Sequence, residues 1–548
     1  MPAPTPILRW SPTFLILLLI LPGGHNNVDA THLPENTAAS HCAGTLYPSL
    51  CLSTLLSIPN LSSKSLPSII SAAINHTADA VNASHRNCSS IYHRLRNLDP
   101  LQHRALSDCL ELLDTSLDFL HLAFTDLHLT NSSARRSELI TVLSASITNQ
   151  FTCLDGFASV PQHLTNIRPS IQRFLIHLYR LLSNILALSS KFLPPPKRAV
   201  EAFEGYGRMK GGFPAWLTLH DRRLLQTETP GSLAANLVVA KDGSGNFTTV
   251  GEAVAAAPNS STARFVIYIK AGAYFENVEV GKNKINLMFV GDGIGKTVIK
   301  ASRNVVDGWT TFRSATVAVV GKGFIGRDLT VENSAGPIKH QAVALRIGAD
   351  LSAFYRCSFV GYQDTLYVHS LRQFFCDCDI YGTVDFIFGN AAVVFQNCSL
   401  YARKPNPNQK NIFTAQGRED PNQNTGISIH DCKLSAASDL LPVVSQFKNY
   451  LGRPWKAYSR TVYLHSFLDS LIDPAGWLEW NGTFALDTLY YGEYRNRGPG
   501  ANTTGRVRWP GYRVINSSAE ADNFTVANFI DGDQWLASYN LPFTPGLN

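Results

Sequence analysis

Two aspartates 21 residues apart occupy the same position in two copies of one short pattern. Asp364 and Asp385 each follow a cysteine by seven residues and a glycine by three. If the two copies are successive coils of one repeating structure, the carboxyl groups are neighbours at about the 4.8 Å spacing of paired strands. Two acids that close do not both ionise easily. The pair is therefore suited to work as one ionised base or nucleophile and one protonated acid.

Other groups that an acyl-transfer site needs lie in motifs around this pair. Gln363 directly precedes Asp364, and Gln341 lies 22 residues before Gln363, about one coil earlier. Side-chain amides stabilise a developing oxyanion without carrying charge. Arg453 can hold one carboxylate through two hydrogen bonds, and Trp455 offers a flat apolar face to a sugar ring. A single aspartate after a turn is ordinarily a turn-former, but this combination favours a catalytic site.

The repeat that carries the aspartates also predicts the fold that positions them. A cysteine between polar and apolar residues recurs with spacings of 21, 20 and 34 at Cys357, Cys378, Cys398 and Cys432. Residues 324–331 form a copy without cysteine. Stacked coils of this length indicate a right-handed parallel β-helix, in which each coil buries its inward residues against the next. Equivalent positions on neighbouring coils are adjacent, which predicts the disulfides Cys357–Cys378 and Cys398–Cys432.

The N-terminal part, residues 32–190, has a different pattern. Apolar residues recur at steps of three and four, which predicts helices near 65–95, 100–128, 136–157 and 167–190. Four such helices indicate an up-down bundle, and nothing in them suggests catalysis. Two disulfides are expected here, Cys42–Cys51 in a small hairpin and Cys109–Cys153 between two helices. Cys88 and Cys376 are left over, and Cys376 is interpreted as a buried or free thiol.

The first 30 residues predict a signal peptide. Arg9 precedes an apolar run at 14–21, which is too short to span a bilayer. The alternative is an uncleaved anchor. Asn-x-Ser/Thr sequons indicate a secreted glycoprotein, and they begin at Asn60, Asn75, Asn82, Asn87, Asn131, Asn246, Asn259, Asn397, Asn481, Asn502, Asn516 and Asn523. In that compartment cysteines are disulfide candidates.

Residues 191–228 read as a linker between the helical part and a second domain at 235–548. Three consecutive prolines and a glycine-rich stretch end the helical pattern. The linker contains Arg222-Arg223-Leu224-Leu225, and a dibasic pair in an exposed linker invites a processing protease. The alternative is an ordinary pair of solvated charges.

Composition narrows the function classes. The 548 residues include 47 Lys+Arg and 41 Asp+Glu, a mildly basic balance that argues against a strongly cationic nucleic-acid binder. It tolerates a polyanionic substrate and at close range favours one. No spacing of cysteines and histidines indicates a metal site, and no cofactor is expected.

Five segments resemble the signature segments of plant pectin methylesterases, in the family's order across 235–548. They are Gly272-Ala-Tyr-Phe-Glu276, Gln341-Ala-Val-Ala-Leu-Arg346, Gly361-Tyr-Gln-Asp-Thr-Leu-Tyr367, Gly382-Thr-Val-Asp-Phe-Ile-Phe-Gly-Asn390 and Leu451-Gly-Arg-Pro-Trp455. The N-terminal part resembles the inhibitor-like pro-domain of the longer enzymes in this family, with matching cysteines at Cys42, Cys51, Cys109 and Cys153. Arg222-Arg-Leu-Leu225 matches the family's processing motif.

The resemblance implies a role for each site residue. Asp385 is the nucleophile that attacks the C6 methyl ester of a galacturonate, and Asp364 is the proton donor and then the base. Gln363 and Gln341 stabilise the oxyanion. Arg453 holds Asp385, and the residues that line the sugar subsites are Thr311, Gln341, Arg453 and Trp455.

The resemblance also implies a substrate, partners and a location. The substrate is methyl-esterified homogalacturonan (pectin), and the products are pectate and methanol. The expected partners are the chain's own pro-domain, separate inhibitor proteins and a processing protease, with secretion to the cell wall and no membrane in the mature form. Arg313 departs from the pattern, because many relatives have a smaller or neutral residue there. Its charge is expected to alter the preference for de-esterified neighbours.

Two other functions fit part of the pattern. Carboxylates about 5 Å apart also suit a retaining glycosidase, which would make new reducing ends without methanol. A β-helix lyase would want an acidic calcium cluster, which the sequence does not suggest. The rival outside enzymes is a non-catalytic protein whose helical part inhibits a separate esterase while the β-helix only binds pectin.

Overall fold

The computed structural model describes residues 33–94, 99–128, 133–158, 167–192, 209–210, 213–214, 235–539 and 541–547. The predicted signal peptide and the predicted processing motif at 222–225 lie outside these ranges, as does most of the predicted linker. Residues 209–210 and 213–214 form two short antiparallel strands.

The N-terminal part is a helical bundle, as the sequence predicts. Its helices are α1 (Leu33–Cys42), α2 (Pro48–Leu56), α3 (Leu66–Arg94), α4 (Pro100–His128), α5 (Ser133–Asp155) and α6 (Arg168–Phe192). The four long helices bury their apolar stripes in one core. The disulfides Cys42–Cys51 and Cys109–Cys153 are both present, with Cα atoms 5.7 and 4.6 Å apart.

The remainder is built from short strands. The first are β1 (Met209–Lys210), β2 (Phe213–Pro214), β3 (Leu237–Val239), β4 (Phe265–Ile269), β5 (Gly272–Phe275), β6 (Val278–Val280), β7 (Leu287–Gly291), β8 (Thr297–Ala301), β9 (Val317–Val319) and β10 (Ile325–Arg327). The next are β11 (Thr330–Asn333), β12 (Leu345–Ile347), β13 (Ser352–Tyr355), β14 (Ser358–Val360), β15 (Leu366–Val368), β16 (Arg372–Cys376), β17 (Asp379–Gly382), β18 (Ile387–Gly389) and β19 (Ala392–Gln396). The last are β20 (Ser399–Ala402), β21 (Asn411–Gln416), β22 (Gly426–His430), β23 (Lys433–Ala436), β24 (Asn449–Gly452), β25 (Arg460–Leu464), β26 (Phe467–Leu468), β27 (Tyr490–Tyr494) and β28 (Tyr512–Val514). Short helices lie at Val250–Ala256, Ser518–Asp522, Val526–Ile530 and Gly532–Trp535.

Within the described residues these strands form three parallel sheets, the arrangement of a parallel β-helix. The first sheet has the order β28-β27-β25-β22-β19-β16-β13-β10-β7-β4-β3, and the second has β26-β23-β20-β17-β14-β11-β8-β5. The third, which we name the cleft sheet, has the order β24-β21-β18-β15-β12-β9-β6. Each coil adds one strand to each sheet, so residues about 20 apart become neighbours.

Inward residues stack from coil to coil and form the core of the β-helix. Phe354, Phe375 and Phe395 are register partners on β13, β16 and β19. Their rings stack with centroids 4.9 and 4.7 Å apart. Each fully buried phenyl group contributes roughly 1.5–3 kcal/mol relative to an exposed one. The repeat read from the sequence is therefore also the repeat of the core.

The predicted disulfides in the β-helix are wrong. Cys357, Cys378, Cys398 and Cys432 do stack in one buried column, but all four are free thiols. Their side chains are buried, and each sulfur lies near a main-chain carbonyl oxygen, for example Cys378 Sγ at 3.5 Å from the oxygen of Phe354. A disulfide requires a specific orientation of the two Cβ–S bonds, which adjacent register alone does not provide. The inference that these cysteines are neighbours in register is correct, but the inference that they form disulfides is not.

Cys88 and Cys376 are also buried and free. Among the described residues, no helix has the length and apolar character that crossing a bilayer requires.

Candidate active site

Both aspartates lie in tight turns that lead into strands of the cleft sheet. Asp364 precedes β15 and Asp385 precedes β18, and the register pair Leu366–Ile387 places the aspartates one coil apart. The main-chain N–H of Asp364 donates to the carbonyl of Val384 at 3.0 Å. Their φ angles are 62° and 51°, in the left-handed region that aspartate tolerates better than most residues.

Steric crowding explains why a glycine lies three residues before each aspartate. A Cβ atom on Gly382 would lie 2.1 Å from Cβ of Phe386, and one on Gly361 would lie 2.7 Å from Oγ1 of Thr365. The turn folds back so tightly that only glycine fits. The Gly-x-x-Asp repeat thus forms a tight turn from which the aspartate carboxyl group points out of the cleft sheet.

Both carboxylate oxygens of Asp385 accept hydrogen bonds from one arginine. Arg453 Nε donates to Oδ1 at 2.8 Å and the terminal Nη2 donates to Oδ2 at 2.6 Å. The indole ring of Trp480 covers the guanidinium at 4.3 Å. Two parallel N–H donors match a carboxylate and fix its plane. Asp385 is therefore oriented as an anionic group beside the cleft.

Asp364 has a different environment, although it is only one coil away. Its side chain is buried, and the burial raises the pKa of its carboxyl group well above the ordinary value. The nearby charge of Asp385 raises that pKa further, while Arg453 lowers it. The two acids therefore differ as the spacing predicts, with Asp364 holding a proton next to an arginine-bound carboxylate.

The two aspartates open into a cleft of about 320 Å3. All seven residues that the sequence singles out for catalysis or substrate binding line it, namely Thr311, Gln341, Gln363, Asp364, Asp385, Arg453 and Trp455. The floor also includes Tyr367 and Phe388, whose rings stack 4.3 Å apart. A long cleft with aromatic walls and a few convergent polar groups suits a sugar chain.

Sequence reasoning missed several lining residues. Trp480 lies in an irregular segment between β26 and β27, with no repeat to place it. Tyr367 and Phe388 each follow an aspartate by three residues and face outward from the cleft sheet. The alternation of side chains along a strand could have predicted this orientation.

The unexpected lining residues belong to the helical bundle. Thr152, Asp155 and Gly156, at the end of α5, line the same cleft as the two aspartates. Thr152 Oγ1 lies 2.9 Å from Nε2 of His369, and Lys456 Nζ donates to Asp155 at 3.0 Å. Nothing in the helices suggests catalysis, but the end of α5 forms part of the cleft wall.

A second contact between the bundle and the β-helix involves Arg313. Arg313 Nε donates to Asp108 Oδ1 at 2.6 Å, and Thr310 Oγ1 donates to Oδ2 at 2.6 Å. Arg313 also pairs with Glu111, one turn further along α4. Burial raises the pKa of Asp108 to about 6, against the lowering effect of Arg313.

One group of side chains in the described ranges, His430, Asp431 and His465, is close enough to hold a metal ion. The amide of Gln396 is fixed by the main chain of Thr544, which donates to its oxygen and accepts from its nitrogen. That nitrogen faces Nδ1 of His430 at 3.3 Å, so Nδ1 accepts and the ring proton belongs on Nε2. A protonated Nε2 cannot ligate a metal, and none of the three residues lines the cleft.

Known proteins match this chain across both parts. A family model described as Pectinesterase matches residues 236–533, and one described as Plant invertase/pectin methylesterase inhibitor matches residues 36–188. Pectinesterase 3 of Citrus sinensis is 51% identical over 519 residues, which cover 93% of this chain and 88% of that protein. Pectinesterase/pectinesterase inhibitor 3 of Arabidopsis thaliana is 48% identical over 536 residues, covering 93% and 90%. The solved pectin methylesterase from carrot is 62% identical with a TM-score of 0.57, covering 57% of this chain and 99% of that one.

Proposed function

This chain belongs to the pectinesterase family and removes methyl groups from methyl-esterified pectin, and we propose that it does so with Asp385 as nucleophile and Asp364 as acid and base. The observation that carries the proposal is the unequal environment of the two acids. Arg453 binds Asp385 with two hydrogen bonds, while Asp364 is buried with a raised pKa.

In the first step an oxygen of Asp385 attacks the carbonyl carbon of the C6 methyl ester. The carbonyl oxygen becomes an oxyanion, which the side-chain amides of Gln341 and Gln363 stabilise from the cleft wall. When the tetrahedral intermediate collapses, the bond to the methoxy oxygen breaks and Asp364 gives that oxygen its proton. Methanol leaves, and the galacturonyl group stays on Asp385 as a mixed anhydride.

In the second step the acid becomes the base. Asp364, now ionised, takes a proton from a water molecule that attacks the acyl carbon of the intermediate. The anhydride bond breaks, which frees Asp385 as a carboxylate and releases a galacturonate with a free acid group. Both acids return to their starting protonation states, so one water is consumed for each methanol released.

The two rivals considered from the sequence do not fit the family assignment. A glycosidase would cleave the polymer backbone, and a non-catalytic protein would not need the complete set of acid, amide and arginine groups in one cleft. The activity of this chain is that of a carboxylic ester hydrolase.

We further propose that the helical bundle is a pro-domain that occupies the cleft in the uncleaved chain. Thr152 and Asp155 line the same cleft as the two aspartates, which supports inhibition in cis. On this proposal, residues 191–228 are the linker, and cleavage after Arg222-Arg223-Leu224-Leu225 frees the enzyme at 235–548. Secretion to the cell wall, glycosylation, a processing protease and separate inhibitor proteins belong to the same proposal.

The experiment measures methanol released from methylated pectin by the secreted protein after cleavage in the linker. Asp385→Ala is expected to abolish release, while circular dichroism shows an unchanged β-helix. Sequencing the N-terminus of the active species tests the processing site, with a new terminus directly after Leu225 as the expected result. Full activity of Asp385→Ala would refute the nucleophile.

A further inference from the structure

Arg313 is adjacent in sequence to the catalytic cleft's lining residues and already binds a carboxylate. It follows Thr311 and Phe312, which both line the cleft. Its guanidinium and the hydroxyl of Thr310 each donate to one oxygen of Asp108, at 2.6 Å in both cases. The bound carboxylate belongs to the bundle and is only 1% exposed. The β-helix thus contributes the donors of a carboxylate-binding site, and the pro-domain contributes its occupant.

A second arginine, Arg346, faces the same Phe312 ring as Arg313, and none of the described carboxylates forms an ion pair with it. Arg346 is 2% exposed, and its Nε atom has no hydrogen-bond partner among the residues that the structure describes. The ring of Phe312 lies 3.5 Å from the guanidinium carbon. In the cleft sheet Arg346 is the register partner of Tyr367, a cleft residue. The side chain is therefore a buried cation one coil from the cleft floor.

The charges around these two arginines change when the bundle leaves. The carboxylates that favour the charged form of Arg346 are Glu111, Asp108 and Glu279. Two of the three are on α4, and Glu279 is a solvated group, 58% exposed and 3.6 Å from Arg313. Without α4, the solvent-exposed Glu279 is the one carboxylate of these three that stays near Arg313 and Arg346. The freed surface is cationic and presents N–H and O–H donors.

We propose that Thr310 and Arg313, supported by Arg346, bind a free carboxylate of an unesterified galacturonate, and that Asp108 occupies this position in the uncleaved chain. This rests on the function proposed above, because it deepens the specificity of the same cleft. The reaction turns neutral esters into anions. A cation beside the cleft therefore distinguishes a sugar that has already been hydrolysed from one that has not. The enzyme then favours esters that have de-esterified neighbours.

The test uses the full-length chain with Asp108→Asn, Glu111→Gln and Asp155→Asn, which removes the bundle carboxylates that meet cations beside the cleft. In this background, Arg313→Gln is compared with Lys282→Gln. Lys282 is the matched control because it also binds two α4 carboxylates, but unlike Arg313 it is not adjacent in sequence to residues that line the cleft. Binding of a short unesterified oligogalacturonate and of its fully methyl-esterified counterpart is measured by titration calorimetry.

Arg313→Gln is expected to weaken binding of the unesterified oligomer about tenfold or more, since a charge-assisted hydrogen bond is lost. Lys282→Gln is expected to change it by less than about twofold. Binding of the esterified oligomer should not depend on Arg313. Equal effects of the two substitutions, or equal loss for both oligomers, would overturn the proposal, as would failure of the unesterified oligomer to bind a background that releases methanol.

The same samples separate this proposal from the proposed function. Binding that depends on Arg313 in a chain that releases no methanol would leave the carboxylate site standing and remove the esterase mechanism. Methanol release in a chain whose oligomer binding does not depend on Arg313 would leave the esterase mechanism standing and remove the carboxylate site. A second measurement avoids the triple substitution. Unesterified oligomer added to the wild-type chain should increase amide hydrogen exchange in α4 by displacing Asp108, and unchanged exchange at saturating oligomer contradicts the proposal.

Discussion

Replacing Asp108 by Asn is the most informative perturbation of the contact that covers the cleft. The carboxylate accepts one charge-assisted bond from Arg313 and one bond from Thr310, and it is buried between α4 and the β-helix. Asn keeps the shape but removes the charge. In the covered state Arg313 then has only Glu111 left on the bundle, whereas in the open state water solvates it. The substitution therefore weakens covering without harming the open enzyme.

The size of the effect follows from these contacts. Losing a hydrogen bond to a charged group costs about 1.5–3 kcal/mol, and the second bond to Thr310 is only partly retained, so we expect about 2–3 kcal/mol. At 1.4 kcal/mol for each factor of ten, the open fraction rises about 30- to 150-fold. The assay is methanol release by the full-length chain, with mass spectrometry confirming that the linker is intact. The activity of the uncleaved chain should rise by that factor until the chain is mostly open.

Asp114→Asn is the control on the same helix. Asp114 pairs with Lys282 at the surface, where both side chains are about half exposed, so its loss costs less than about 1 kcal/mol and raises activity no more than about fivefold. The reasoning is refuted if Asp108→Asn leaves the activity of the uncleaved chain unchanged while the bundle stays folded. It is also refuted if the control raises activity equally.

Three further predictions concern the acid pair and the cysteines. Arg453→Lys should lower kcat about 10- to 100-fold with a smaller change in KM, because one point charge replaces two directed hydrogen bonds to Asp385. Steady-state assays of methanol release measure both constants, and an unchanged kcat contradicts the prediction. Asp385→Asn should lower the pKa of Asp364, since it removes a neighbouring charge that raises it; carbon-detected NMR titration of the carboxyl group measures the direction, and a rise would be the wrong sign. Thiol titration of the unreduced, denatured chain should find six free cysteines, whereas two would mean that the β-helix contains disulfides after all.

Much of the β-helix can be predicted from the sequence because its coils are a linear repeat. The spacing between Asp364 and Asp385 is the coil length itself, so their adjacency follows from counting. The cysteine column shows the limit of such counting. Register determines which residues are neighbours, while a disulfide also needs a specific orientation of the two Cβ–S bonds. Cys378 and Cys398 are free thiols, and each sulfur lies near a main-chain carbonyl oxygen.

The covering of the cleft could not be predicted in the same way. Helical periodicity identifies which face of α5 is buried in the bundle, but it contains no information about which second surface Thr152 and Asp155 meet. The charge of Arg313 is evident from the sequence. Its partner on α4 is not, because a contact across 205 residues follows no local rule.

The central claim is that Asp385 carries the acyl group, and trapping that intermediate tests it most directly. Cleaved enzyme turning over methyl-esterified oligogalacturonate is quenched in acid, digested and analysed by mass spectrometry. The account predicts a galacturonyl adduct on the peptide that contains Asp385, absent in Asp385→Asn. An adduct on Asp364 instead would contradict the assignment of roles to the two aspartates.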